Sequence, residues 1–141
     1  MLLIEEESLR QMIRDAEQSF PDECCGFFFG SEVGDDRHVL KVIPVHNAKE
    51  GDKRRRFLIS GKDYVAAEKF ADENGLQLLG IYHSHPGHTP IPSEHDREAA
   101  QPYFSYVIIS VMNGLFSSLR SWRLNESAEF EEEKCKESIN Q

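Results

Sequence analysis

Cysteine is scarce in this chain, with three residues among 141, two of which are the neighbours Cys24 and Cys25. Three thiols cannot form the disulfide framework that staples small secreted domains, and so few cysteines agree with a reducing compartment. A chain of this length buries enough surface to fold without disulfides or a structural metal. Any metal site in this sequence is therefore expected to serve function rather than folding.

The sequence also lacks any apolar run approaching the roughly 20 residues that a membrane span requires. The first residues, Met1–Glu7, contain one short apolar run and no basic residue, which argues against a secretory signal peptide. We therefore expect no membrane association, and we predict a cytoplasmic protein.

Basic residues are few, since 16 Lys and Arg face 25 Asp and Glu, giving a formal net charge of −9. This excess of acid disfavours nucleic acid as a partner, because such binding depends on neutralising phosphates. The one basic run, Lys53-Arg54-Arg55-Arg56, is typical of a solvated loop or strand edge. It also suits a contact with an acidic protein partner, and both interpretations stay open.

The hydrophobic pattern predicts a chain that mixes helices and strands. Helices are expected from an N-cap at Ser8 to Phe20, from Ser60 to Asn74, and over Ser93–Gln101. Strands are expected at Leu2–Ile4, Gly26–Gly30, His38–Val45, Arg56–Ile59, Leu76–Tyr82, Phe104–Met112 and Leu119–Leu124, with a turn over Ser31–Asp36. This order predicts a single α+β (mixed α/β) domain over residues 1–141, with one central mixed β-sheet flanked by helices. Residues 128–141 are acidic and predict a last edge strand and then a frayed tail.

The most informative stretch runs from His83 to Asp96, at the end of a strongly apolar predicted strand. It contains His83-Ser84-His85, and ten residues separate His85 from Asp96. Neutral imidazole and carboxylate are ligands that Zn²⁺ prefers, and three protein ligands with one open position are typical of a catalytic site. Each piece alone also has an ordinary interpretation. A His-x-His pair occurs in turns, and Ser93-x-x-Asp96 has the spacing of a helix-capping pair.

Together these residues resemble the JAMM (MPN⁺, Mov34/PAD-1) metalloprotease domain. That family's pattern is a glutamate, then His-[Ser/Thr]-His-Pro, then Ser-x-x-Asp. The chain matches it with Glu23, His83-Ser84-His85-Pro86 and Ser93-x-x-Asp96, and the similarity spans essentially the whole sequence. The resemblance implies a JAMM/cytidine-deaminase-like fold.

The resemblance also implies a role for each residue. His83, His85 and Asp96 resemble the ligands of one zinc ion per chain, with water as the fourth ligand. Glu23 resembles the general base that takes a proton from this water, and Ser93 resembles the donor to the oxyanion. Neither Cys24 nor Cys25 is needed as a nucleophile in this scheme, and we expect both to serve packing.

The short chain is similar to the compact prokaryotic JAB members of that family, which implies a zinc-dependent metallopeptidase or isopeptidase. The implied substrate is a ubiquitin-like or sulfur-carrier protein, cleaved after its C-terminal Gly-Gly. Family members often pair, so a homodimer is compatible with the resemblance. Two alternatives stay open: a non-catalytic MPN interaction scaffold, and a general, cell-wall or phage-tail-type processing peptidase.

Overall fold

The computed structural model of the chain describes residues 1–138 and contains eight strands and three helices within them. The strands are β1 (Leu2–Ile4), β2 (Cys25–Val33), β3 (Asp36–Val45), β4 (Gln77–Pro86), β5 (Ser105–Met112), β6 (Leu115–Leu124), β7 (Phe130–Glu133) and β8 (Cys135–Glu137). The helices are α1 (Glu6–Ser19), α2 (Gly61–Asn74) and α3 (Glu94–Ala99).

All eight strands form one sheet in the order β7-β6-β5-β4-β2-β3-β1-β8. β4 pairs parallel with β5, and β1 pairs parallel with both β3 and β8, whereas the other pairs are antiparallel. The predicted central mixed sheet with flanking helices is therefore confirmed. The two edge strands, β7 and β8, are joined by Lys134 alone, so the sheet must curve until its two edges meet at that residue.

The sheet separates two apolar clusters, and consecutive phenylalanines of β2 point alternately into one cluster and the other. Phe28 packs on the face covered by α1, with Met12 and Ala16. Phe27 and Phe29 pack on the face covered by α2, with Ala67 and Ala71. Because side chains of a strand alternate between faces, a fully apolar triplet is what a strand buried on both faces requires. The middle of the sheet is therefore buried between two layers.

The helix boundaries confirm two predicted caps and correct a third. Ser60 Oγ accepts a hydrogen bond from Asp63 N at 3.1 Å, and Gly75 ends α2 with a φ of 64°. The prediction that Ser8 caps α1 is wrong, because the helix already begins at Glu6 and Ser8 is buried within its first turn. Two acidic residues, Glu6 and Glu7, favour this earlier start because negative charge stabilises a helix N-terminus.

Two predicted segments also differ from the structure. The turn placed at Ser31–Asp36 shrinks to Gly34 and Asp35, because β2 continues to Val33. The predicted strand Arg56–Ile59 is wrong, because this segment joins no ladder and Leu58 N donates instead to the Asn47 side chain at 3.0 Å.

The acidic C-terminal segment is more ordered than the sequence indicated. Where one edge strand and a frayed tail were expected, the structure has two strands, β7 and β8, which lie at opposite edges of the sheet. The part of the predicted tail at 139–141 lies outside the described residues. Within residues 1–138, no helix combines the length and the apolar character needed to cross a membrane.

Candidate metal centre

Strand β4 carries both histidines of the predicted metal site. The sequence placed the end of this strand at His83, whereas β4 continues to Pro86 and includes His85. Since residues two apart in a strand lie on the same face, both imidazoles point the same way, with their Nε2 atoms 3.2 Å apart. Their exposed fractions are only 1% and 8%, because β4 lies between β2 and β5.

Asp96 is brought to the two histidines by the first turn of α3. Ser93 Oγ accepts from Asp96 N at 3.1 Å, and Ser93 N donates to Asp96 Oδ2 at 2.9 Å, which is a complete capping box. The same Oδ2 lies 3.3 Å from His83 Nε2 and 3.2 Å from His85 Nε2. The capping and ligand interpretations of this pair are therefore compatible, and the cap orients the carboxylate.

The spacing of the three potential ligand atoms fits a tetrahedral zinc ion. Bonds of about 2.0–2.1 Å from such an ion place its ligands about 3.3–3.4 Å from one another. His83 Nε2, His85 Nε2 and Asp96 Oδ2 are 3.2–3.3 Å apart in all three pairings. Within residues 1–138 this is the one group of three or more His, Cys, Asp or Glu side chains close enough to hold a metal.

Charge and hydrogen bonding prepare these side chains for a cation. Although burial opposes ionisation of Asp96, the neighbouring imidazoles and the Ser93 N–H hold the pKa of its carboxyl well below the usual range. Burial lowers the pKa of His83, which favours the neutral imidazole that metals bind. The Nδ1 atom of His85 lies 2.9 Å from the carbonyl oxygen of Thr89. When Nδ1–H donates there, the lone pair of Nε2 faces the cluster.

His83 is held in a different way from His85. Its ring stacks on Phe57, with centroids 4.5 Å apart and an interplanar angle of 26°. Its Nδ1 has no hydrogen-bond partner among the described residues. Stacking on Phe57, rather than a hydrogen bond from Nδ1, therefore supports this ring, whose Nε2 faces Asp96.

Glu23 reaches the histidines through the pairing of β2 with β4. Cys25 pairs with His83, and one step earlier Cys24 N donates to Ser84 Oγ at 2.8 Å while Ser84 N donates to Cys24 O at 3.2 Å. This register places Glu23 beside His85. The Glu23 side chain is buried, and burial raises its pKa to about 8, although His85 opposes the shift. Such a value is suited to a group that exchanges protons near neutral pH.

A cleft of about 470 Å³ opens beside the ligands and contains both residues predicted to act in catalysis. Glu23, Ser93 and His85 line it, together with Arg55, Arg56, His88, Thr89 and Ile91. Ser93 Oγ accepts the hydrogen bond from Asp96 N, so its own hydroxyl hydrogen is available to a ligand in this cleft. The structure thus brings all five predicted site residues together.

Other cysteine and histidine side chains lie near the site but are not part of the metal group. Cys24 and Cys25 are buried, and burial raises the pKa of the Cys25 thiol to about 12, which agrees with a packing role. His88 is exposed at the cleft, and His95 lines a second cavity of about 210 Å³ beside His83 and Asp96. Two contacts could not be predicted from the sequence, that of the Thr89 carbonyl oxygen with His85 and that of the Phe57 ring with His83. Neither a backbone carbonyl nor a stacked ring leaves a recognisable pattern of residue types.

The buried Glu23 carboxyl leads to a prediction for the metal-free protein. Its folded-state pKa of about 8 lies above the ordinary value of 4.5, so between these values the folded chain binds more protons than the unfolded chain. The free energy of unfolding contributed by Glu23 therefore falls as pH rises through this window. Metal-free Glu23→Gln is expected to differ from wild type by about 1 kcal/mol or less near pH 5 and to exceed its stability by a few kcal/mol near pH 8. Urea unfolding in chelator at both pH values measures this difference, and a difference independent of pH contradicts it.

Comparison with known proteins supports the same kind of domain. A family described as prokaryotic homologs of the JAB domain matches residues 5–125. The solution structure of a protein from Desulfitobacterium hafniense superposes with a TM-score of 0.84 at 30% identity, covering 99% of this chain and 95% of that one. A JAB1/MPN domain protein from Archaeoglobus fulgidus shares the fold, with a TM-score of 0.60 at 18% identity over 99% of this chain and 98% of that one. The predicted fold class is thereby confirmed.

Curated relatives carry names of peptidases. The chain is 32% identical over 135 residues to a CysO-cysteine peptidase of Mycobacterium tuberculosis, covering 94% of this chain and 88% of that protein. It is 33% identical over 103 residues to a probable TtuB-protein conjugate cleaving protease of Thermus thermophilus, covering 73% of this chain and 63% of that protein. These relatives support a hydrolase.

Proposed function

Because the chain belongs to the family of prokaryotic homologs of the JAB domain, we propose that it is a zinc-dependent peptidase that cleaves an amide bond after a C-terminal Gly-Gly. The observation that carries this proposal is the meeting of three ligand atoms, 3.2–3.3 Å apart, with a buried carboxyl and a free hydroxyl at one cleft. A scaffold without catalysis needs no such set. This favours the enzyme over a non-catalytic interaction module.

The chain's own residues divide the work of hydrolysis. His83, His85 and Asp96 would hold the zinc ion, which would supply an activated water molecule near neutral pH and polarise the substrate carbonyl. Glu23 takes a proton from the attacking water and returns it to the leaving nitrogen, for which its raised pKa is suited. Ser93 donates its hydroxyl hydrogen to the oxygen that becomes negative in the tetrahedral intermediate. No side chain is acylated, which agrees with the burial of Cys24 and Cys25, since burial raises the pKa of both thiols and disfavours the thiolate.

The names of the relatives point to the substrate class. One relative is named for a cysteine attached to CysO, and the other for conjugates between TtuB and proteins. We propose that this chain likewise acts on a ubiquitin-like or sulfur-carrier protein whose last residues are Gly-Gly. Glycines suit a close approach to buried ligands because they carry no side chain. We expect the tail to lie extended beside the site and to pair through its backbone.

A cleavage assay tests this function. Small ubiquitin-like and sulfur-carrier proteins that end in Gly-Gly, from the genome that encodes this chain, are each extended by one residue and incubated with zinc-loaded protein. Mass spectrometry is expected to show loss of the added residue from at least one of them, and no loss with Glu23→Ala. If the zinc-loaded protein trims none of them, or if Glu23→Ala trims as fast as wild type, the proposal is wrong.

A further inference from the structure

The basic run Lys53–Arg56 is tied directly to the backbone of the proposed general base. Glu23 N donates to Lys53 O at 2.7 Å. The side-chain amide of Asn47 donates at 3.1 Å to Glu23 O and also at 3.1 Å to Arg56 O. One amide thus bridges Glu23 and Arg56, so the position of the arginine backbone is fixed relative to the proton carrier.

Two side chains of this run face the catalytic cleft. Arg55 and Arg56 line it together with Glu23, His85 and Ser93. Arg56 is half-buried, and among residues 1–138 its guanidinium donates one hydrogen bond, from Nη1 to the Arg55 carbonyl oxygen, which leaves further N–H donors for a ligand. The neighbouring Arg54 is exposed and is not among the residues that line the cleft. The run therefore contains two arginines that line the cleft, Arg55 and Arg56, and a matched arginine, Arg54, that is exposed to solvent.

The chemistry of the leaving group suggests what an arginine inside the cleft could bind. Glu23 can return a proton only to a nitrogen that lies beside its carboxylate. When that nitrogen is the α-amine of a terminal amino acid, a free carboxylate is attached to the adjacent carbon. Two carboxylates then lie within a few ångströms of each other and repel. A guanidinium beside them offsets this repulsion and binds a carboxylate with parallel hydrogen bonds.

An isopeptide bond places a different leaving group beside Glu23. Its leaving nitrogen is the Nζ of a lysine within another protein, which is separated from the lysine backbone by four methylenes and bears no free carboxylate nearby. A cleft-facing guanidinium gains no comparable partner from such a leaving group. Its binding energy therefore distinguishes the two kinds of substrate.

We infer that Arg56, supported by Arg55, binds the free α-carboxylate of the leaving residue, so that the enzyme prefers a single α-linked C-terminal amino acid to an isopeptide conjugate. This inference rests on the proposed function. In the reaction the amide C–N bond after the terminal glycine breaks and the oxygen of water joins the glycyl carbon. One proton of the water passes through Glu23 to the leaving nitrogen, and Arg56 keeps its charge throughout. The amino acid departs with its carboxylate still paired to the guanidinium.

Three forms of one substrate test the inference. The carrier protein trimmed in the assay above is prepared with a single alanine after Gly-Gly, with the same alanine as its C-terminal amide, and with an isopeptide bond to the Nζ of N-acetyl-lysine amide. Wild type is expected to cleave the free-carboxylate form with a kcat/KM about 10- to 100-fold above the other two, mainly through a lower KM. In Arg56→Gln this preference is expected to fall to about 2-fold or less. Arg54→Gln, which removes the same charge outside the cleft, is expected to keep it.

Binding without turnover gives a second readout. Calorimetric titration of metal-free Glu23→Gln with the free-carboxylate and amide forms is expected to show tighter binding of the first, and the difference is expected to vanish in the double variant with Arg56→Gln. Equal treatment of all three forms by wild type, or an equal loss for all three in Arg56→Gln and Arg54→Gln, overturns the inference. Those results would mean that the basic run Lys53–Arg56 contacts the folded part of the carrier protein rather than the leaving residue. Failure of the proposed function is separate, because it appears earlier as no cleavage of any carrier.

Discussion

Replacing Glu23 with glutamine is expected to lower kcat for amide hydrolysis by about 10²–10⁴-fold while zinc binding remains at one ion per chain. Glutamine has the same shape as the buried glutamate but cannot accept the proton of water. The carboxyl of Glu23 is not among the three ligand atoms, so its loss leaves the metal site intact. Steady-state rates of cleavage of the extended carrier protein, with metal analysis of the same samples, measure both effects.

The matched control for this variant is Asp22→Asn, which removes the carboxylate of the preceding residue outside the metal group. It is expected to retain wild-type turnover. Glu23→Gln with unchanged kcat contradicts the role of Glu23 as proton carrier. Loss of zinc together with activity in Glu23→Gln instead assigns Glu23 to the metal site.

Replacing Asp96 with asparagine is expected to weaken zinc binding by about 10³-fold and to reduce hydrolysis to the background. The change removes the one negative charge among the three ligands, while an amide oxygen can still accept from Ser93 N and preserve the cap. The fold should therefore remain, as circular dichroism and thermal unfolding can verify. Competition with a coloured zinc chelator gives the affinity.

His46→Ala is the matched control, because it removes a side chain able to bind zinc that is exposed and lies outside the metal group. It is expected to bind zinc as wild type does. A folded Asp96→Asn protein that binds zinc as tightly as wild type means that the metal is held by other residues. The assignment of His83 and His85 would then need the same test.

Local signals in the sequence were sufficient for much of this site. His83-x-His85 and Ser93-x-x-Asp96 predicted a metal group once the resemblance joined them, and strand periodicity and a capping box set the local orientation of these side chains. The glycine at 75 and the serine at 60 likewise specify helix ends through their own backbone and side chain. In these cases the chemistry and the geometry are determined by the same few residues.

Contacts between distant segments could not be predicted in the same way. The closeness of Arg56 to Glu23 depends on the Asn47 amide, which no periodicity connects to either residue. Phe57 stacks on His83 from a segment that the β-rich pattern assigned to a strand. The placement of β7 and β8 at opposite edges follows from closure of the sheet, which is a property of all eight strands. Only the assembled fold shows these relations.

The central claim is that one zinc ion in this site, with Glu23 beside it, makes the chain a peptidase. The most direct measurement is the initial rate of carrier trimming as zinc is titrated into metal-free protein. The rate is expected to start at background, to rise in proportion to added zinc, and to level off at one ion per chain, with Glu23→Gln flat throughout. Full activity before zinc is added, or a rate that does not respond to it, would contradict the account.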